Sequence, residues 1–141
     1  MSNETIRIIL ADDHTIVRES WKVLLEKNPR LKVIADCTNG NEAIKAAQEL
    51  SPDIILIDIN MSPINGFTLA EKIIELAPAV KVIGLSVNNH AKYAAKMMEL
   101  GGRGFLTKTS SLEEINHGIT EVYNGNTYIC EEIKKQMTPT K

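Results

Sequence analysis

Apolar residues along this chain come in two alternating textures. Short unbroken runs such as Ile54-Ile55-Leu56-Ile57 and Val82-Ile83-Gly84-Leu85 read as strands buried on both faces. Between them, apolar residues recur every three or four positions. Leu112, Ile115, Ile119 and Val122, for example, line one face of a helix. The pattern predicts strands near 6–11, 32–37, 53–58, 81–86 and 104–108. It predicts helices near 15–27, 40–50, 66–77, 90–100 and 112–124. Five alternations of strand and helix argue for an α/β fold with a parallel sheet. Crossovers between parallel strands are right-handed, so five such units give a doubly wound (βα)5 sandwich. A five-stranded order of 2-1-3-4-5 is one of the common solutions, and it sets the first and third strands side by side.

Local signals support these boundaries. Asn39-Gly40-Asn41-Glu42 and Ser111-Leu112-Glu113-Glu114 read as capping boxes. Pro29, Pro52 and Pro78 punctuate helix ends, and Gly101-Gly102 offers a left-handed exit from the fourth helix. Trp21 is expected to pack on the first helix, and Met97 and Met98 on the fourth. After Asn126 the βα pattern stops. Ile129, Ile133 and Met137 keep helical spacing, and Thr138-Pro139-Thr140-Lys141 reads as linker. The division expected is therefore a domain over 1–126 and a helical extension and linker over 127–141.

The chemistry collects at the ends of the strands. The first strand runs into Asp12-Asp13 and the third ends at Asp58. Open parallel sheets bind ligands at the carboxyl ends of their strands, so adjacency of these two strands gathers three carboxylates in one crevice. Such a cluster suits a hard, oxygen-seeking cation, Mg²⁺ above all, and a carboxylate beside it can act as a nucleophile toward phosphorus. The fourth strand ends at Ser86, a hydroxyl donor, and the fifth leads to Lys108, a compact positive charge suited to phosphate. Taken singly, each has a plainer reading: Asp13 as a helix cap, Lys108 as a solvated lysine, Ser86 as a turn residue. Four of the five strands ending in the parts of one phosphoryl site outweigh those readings. Asp36 and Asp53 lack such company and read as structural. His14 and His90 fall near the crevice rim, and His117 on an exposed helical face; none is assigned as a ligand.

In combination these residues resemble the receiver domain of bacterial two-component response regulators, from about Ile6 to about Gly125. The resemblance implies a flavodoxin-like fold with Asp12 and Asp13 as the acidic pair and Asp58 as phosphoacceptor. It makes Lys108 the phosphate-binding lysine, Ser86 the switch hydroxyl and Phe105 a switch aromatic that turns inward when Ser86 moves. Mg²⁺ would be held by Asp13, Asp58 and the main-chain carbonyl of Asn60, with Asp12 acting through a water. Gly66, eight residues past Asp58, matches the glycine that closes the acceptor loop. The partner implied is a sensor histidine kinase. Asp12-Asp13-His14-Thr15-Ile16-Val17-Arg18 and Leu85-Ser86-Val87-Asn88-Asn89-His90 are similar to the LuxR-type (NarL/FixJ) transcriptional regulators. That implies a homodimer tightened by phosphorylation and DNA contacts made only through a separate helix-turn-helix domain, toward which 127–141 would lead.

Three positions depart from the family's usual pattern. Ser62 stands where proline is common, with Pro63 following; Thr109 rather than proline follows Lys108; and Val87 is bulkier than usual beside Ser86. A cis bond before Thr109 would cost roughly 2.5–4 kcal/mol, so the sequence leaves the isomer of the Lys108-Thr109 bond open. Val87 is expected to narrow the path to Asp58. Rival readings are a stand-alone receiver, an aspartate-nucleophile phosphatase, a flavodoxin-like cofactor carrier and a receiver that works without phosphate. The phosphatase would want a second Asp where Asn60 stands, and the carrier a Gly/Ser/Thr loop where Asp12-Asp13 stands. The chain is thus expected to be a switch rather than an enzyme.

Composition adds exclusions. The formal net charge of −2 offers no basic nucleic-acid surface. No apolar run reaches membrane-spanning length, and the first five residues lack signal-peptide character, which together imply a cytoplasmic protein. Cys37 and Cys130 fit no metal or redox spacing and are expected as reduced thiols.

Overall fold

The computed structural model describes residues 4–137. Five βα units appear in the expected order: β1 (Ile6–Ala11), α1 (Thr15–Leu25), β2 (Leu31–Cys37), α2 (Gly40–Leu50), β3 (Ile54–Asp58), α3 (Gly66–Leu76), β4 (Lys81–Ser86), α4 (Ala91–Glu99), β5 (Gly104–Thr107) and α5 (Leu112–Tyr123). Two further elements follow, β6 (Tyr128–Ile129) and α6 (Glu131–Met137). The sheet is parallel throughout and ordered β2-β1-β3-β4-β5-β6. This is the expected 2-1-3-4-5 order with one short strand added at the β5 edge.

The core follows from the strand composition. Ile54, Ile55, Leu56 and Ile57 of the central β3 are all fully buried, which contributes about 1.5–3 kcal/mol for each side chain. Helices cover both faces with the apolar stripes read from the sequence; Ile115, Ile119 and Val122 of α5 and Trp21 of α1 are buried. Caps fix several helix starts. Asn39 accepts from the Glu42 N–H at 2.9 Å, and Ser111 from the Glu114 N–H at 3.1 Å. Gly101 takes φ 111° at the α4 exit, the left-handed conformation that favours glycine.

The segment after α5 does not continue as one helix. Tyr128–Ile129 pairs with β5, Ile133 is fully buried, and Met137 is 38% exposed. Strand pairing wins over the helical spacing of Ile129 and Ile133 because β5 presents an open edge. The linker expected over 138–141 lies outside the described residues.

Candidate functional site

Strand register alone assembles the site. Ala11 lies opposite Ile57, so Asp12 emerges beside Asp58. Asp58 lies opposite Leu85, which brings Ser86 one residue beyond it, and Ser86 faces Thr107, the residue before Lys108. The Lys108 N–H donates to the Ser86 carbonyl at 2.8 Å and holds the two strand ends together. From there the side chain returns across the sheet. Its Nζ donates to Asp12 Oδ2 at 2.7 Å and lies 3.2 Å from Asp58 Oδ2.

Asp58 is 1% exposed. Its Oδ1 accepts from the Asn60 N–H at 2.9 Å, whereas Oδ2 receives no hydrogen bond, Lys108 being at ion-pair distance but out of line. Burial pushes its carboxyl above the ordinary value, against the opposing Asn60 N–H and Lys108 charge; the Asp12 carboxylate pushes it further up. Asp12 is equally buried and accepts from the His14 N–H at 2.8 Å. Asp13 Oδ2 accepts from the Ser62 N–H at 3.3 Å, and its Oδ1 is buried without a hydrogen bond, with His14 Nδ1 at 3.1 Å. Asp13 is not the cap of α1, because His14 occupies that position. Two buried carboxylate oxygens without a hydrogen bond in one crevice are a high-energy arrangement that a cation relieves. Asp12, Asp13, Asp58 and His14 bring ligand atoms within 4.8 Å of one another.

The remaining expected residues surround this cluster. Ser86 is fully buried, and its Oγ accepts from the Asn88 N–H at 2.9 Å. Phe105 is also fully buried while Ser86 Oγ is still bonded to the loop, so its burial does not wait on a movement of Ser86. Gly66 closes the acceptor loop for a steric reason: a Cβ there would fall 2.4 Å from Ile59 Cα and 2.6 Å from the Asp58 carbonyl oxygen. Val87 is 65% exposed, so its bulk projects largely into solvent. Among the described residues the single cis peptide bond is Ser62-Pro63; Lys108-Thr109 is trans.

Some participants escaped the sequence reading. His14 is not merely at the rim: Nδ1 lies 3.1 Å from Asp13 Oδ1, 3.3 Å from Asp12 Oδ1 and 3.9 Å from Asp58 Oδ2. Arg18, 8% exposed, donates from Nη1 to the Asp12 carbonyl at 2.9 Å and reaches Asp36 at 3.5 Å. Its place one turn into α1 was the only available signal. Gly84 makes room for the switch ring, since a Cβ there would fall 2.9 Å from Phe105. A glycine inside a strand was its signal. Burial raises both thiols, Cys37 to about 11, which keeps them protonated and inert.

Residues 8–120 match the family described as the response regulator receiver domain. This chain belongs to that family. The receiver is 31% identical over 132 residues to the response regulator GacA of Pseudomonas aeruginosa, covering 94% of this chain and 62% of that protein. It is 33% identical over 132 residues to the response regulator UvrY of Escherichia coli (strain K12), covering 94% and 61%. The chain thus spans about three fifths of the length of these curated relatives. In structure it is similar to a two-component response regulator of the LuxR family from Aurantimonas sp. SI85-9A1, with TM-score 0.91, 28% identity, and 95% and 96% of the two chains covered. Among the described residues of the receiver, no helix is long and apolar enough to cross a membrane.

Proposed function

We propose that this receiver is a phosphorylation switch in which Asp58 accepts a phosphoryl group from phosphohistidine on a sensor histidine kinase. The observation that carries this reading is Asp58 Oδ2, buried without a hydrogen bond and 3.2 Å from Lys108 Nζ. An Asp58 oxygen attacks phosphorus, the bond from phosphorus to the donor imidazole breaks, and the imidazole leaves. Lys108 pairs with the incoming phosphoryl oxygens, and Ser86 donates its hydroxyl proton to another. Hydrolysis of the acyl phosphate by water resets the switch, so the chain is a stoichiometric acceptor and not a turnover enzyme.

The donor set fits Mg²⁺: hard carboxylate oxygens, two of them buried without a hydrogen bond, lie close together. Asp13, Asp58 and the main-chain carbonyl of Asn60 would hold the ion, with Asp12 reaching it through a water. Bound there, it neutralises charge on the transferring group. Treatment with Mg²⁺ and a small phosphodonor should add one phosphoryl group by intact mass and none to Asp58→Asn; full labelling of that variant would end the assignment.

The output we assign is transcription regulation from the cytoplasm, through a separate helix-turn-helix domain. Phosphorylation tightens a two-fold homodimer that aligns two such domains. The dimer face we assign is α1 with α5 rather than α4 with β5 and α5. β6 occupies the β5 edge and α6 lies against α4, whereas α1 exposes Ile16 (79%) and Val23 (64%) on one stripe. Ile133 is fully buried within the chain and is not available as a contact. Sedimentation should show tighter association with beryllofluoride; identical association constants in the two states would count against the dimer.

A further inference from the structure

We infer that α6 is a latch that phosphorylation releases: it is docked on the β4–α4 loop in the unmodified receiver and undocks when Ser86 turns toward the phosphoryl group. The inference rests on the roles proposed for Asp58 and Ser86 and adds the route by which their change leaves the site.

The loop after β4 is tied at two consecutive residues, Asn88 and Asn89. The Asn88 N–H donates to Ser86 Oγ at 2.9 Å. α6 grips Asn89 twice. Asn89 Nδ2 donates to Glu132 Oε2 at 2.7 Å, and Gln136 Nε2 donates to the Asn89 carbonyl at 2.7 Å. Glu132 and Gln136 are four residues apart, so one helical face presents both. The other Glu132 oxygen lies 3.5 Å from Thr107 Oγ1, on the residue that faces Ser86 in the sheet. Where the helix begins, the Cys130 N–H donates to the Phe105 carbonyl at 3.0 Å. A single short helix therefore touches the strand ends that follow both switch residues.

Ser86 Oγ is engaged by the loop, accepting from the Asn88 N–H at 2.9 Å. To donate to a phosphoryl oxygen on Asp58 it must swing toward β3, and the Asn88 N–H must either follow it or lose its partner. Both outcomes displace the Asn88-Asn89 backbone, and the Asn89 carbonyl and amide move with it. Hydrogen bonds fail once donor and acceptor separate by much more than their usual range, so a shift of about 1 Å suffices. The helix is also held by the Glu131 N–H, which donates to Glu114 Oε2 at 2.7 Å, and by packing against α4. Ile133 is its one buried residue, and a seven-residue helix has no stability of its own in water. Its position at the low-stability end of the fold is what a moving element requires.

Hydrogen exchange read by mass spectrometry tests this on the full chain, with beryllofluoride binding to each sample verified by fluorine NMR. The amides of 131–137 should exchange roughly tenfold faster or more in the beryllofluoride state, the change that losing two ordinary hydrogen bonds gives. Asn89→Ala, which removes the Glu132 bond and leaves the Gln136 bond to the main-chain carbonyl, should show part of that faster exchange without beryllofluoride and a smaller further gain on adding it. Lys135→Ala, on the exposed side of α6, should behave as the parent. Equal protection of α6 in the two states with beryllofluoride bound would overturn the latch and leave the acceptor site standing. Unchanged protection in Asn89→Ala would do the same. Absence of any beryllofluoride complex would overturn the site reading, and the latch with it.

Discussion

β3 has an aspartate at each end, and the two lead different lives. Asp53, just before the strand, is half-buried; its Oδ2 accepts from the Arg7 N–H at 2.8 Å, its own N–H donates to the Arg7 carbonyl, and its carbonyl accepts from Lys81. Asp58, at the other end, is buried, has one oxygen without a hydrogen bond, and is pushed toward protonation. The residue type and the strand are the same. The neighbour supplied by β1 differs: a free backbone N–H at the start, two more carboxylates at the end. A satisfied carboxylate pegs one strand to the next. An unsatisfied one, held beside Lys108, is a nucleophile waiting for a counter-charge.

Exchanging acid for amide at each end should separate the two most sharply. Asp58→Asn loses all phosphoryl incorporation, whereas Asp53→Asn retains wild-type stoichiometry, because its remaining oxygen still accepts from Arg7. Loss in both variants would mean that the two ends are not functionally distinct. Gly66→Ala comes next. Its new methyl would collide with main-chain atoms of Ile59 and Asp58, so a destabilisation of about 2–3 kcal/mol is expected in urea melts. A cost of only a few tenths would show that the acceptor loop yields easily.

Stability should then move in opposite directions at the two ends. Asp53→Ala strands the Arg7 N–H and costs about 1 kcal/mol. Asp58→Asn removes a buried, repelled charge and should stabilise by about 0.5–2 kcal/mol at neutral pH. The sign with pH follows from the raised pKa. The folded protein binds the Asp58 proton more tightly than the unfolded chain, so the penalty for the ionised form is complete above the folded pKa. It fades as pH falls through that value toward the ordinary 3.8, and the advantage of Asp58→Asn fades with it. A gain that stays constant on acidification would place its origin elsewhere. The smallest effect expected is from Mg²⁺. Excess metal should stabilise the parent by less than about 2 kcal/mol, Asp13→Ala should lose that gain, and Asn60→Ala should keep it because the ligand is main chain. Thermal melts with and without Mg²⁺ decide this, and an undiminished gain in Asp13→Ala would remove Asp13 from the metal set.

Local pattern by itself determined the five βα units, their caps at Asn39 and Ser111, the glycine exit at Gly101, and which side chains sit at the strand ends. Each depends on residues a few positions apart, where periodicity and backbone preference act directly. Even the composition of the crevice was legible, since parallel strands gather their carboxyl ends on one edge. Tertiary structure decided the rest. Lys108 reaches Asp12 across 96 residues of chain, and only strand register fixes that contact. Which Asp58 oxygen is left without a donor, the approach of His14 to three carboxylates, the Arg18 clasp on the Asp12 carbonyl and the space Gly84 leaves for Phe105 depend on the same long-range placement. The fold-back of the chain end shows the limit most clearly. Ile129 and Ile133 share a helical period, yet one joins a strand and the other a helix, because an open β5 edge and a vacant face of α4 lie within reach and no local pattern records them.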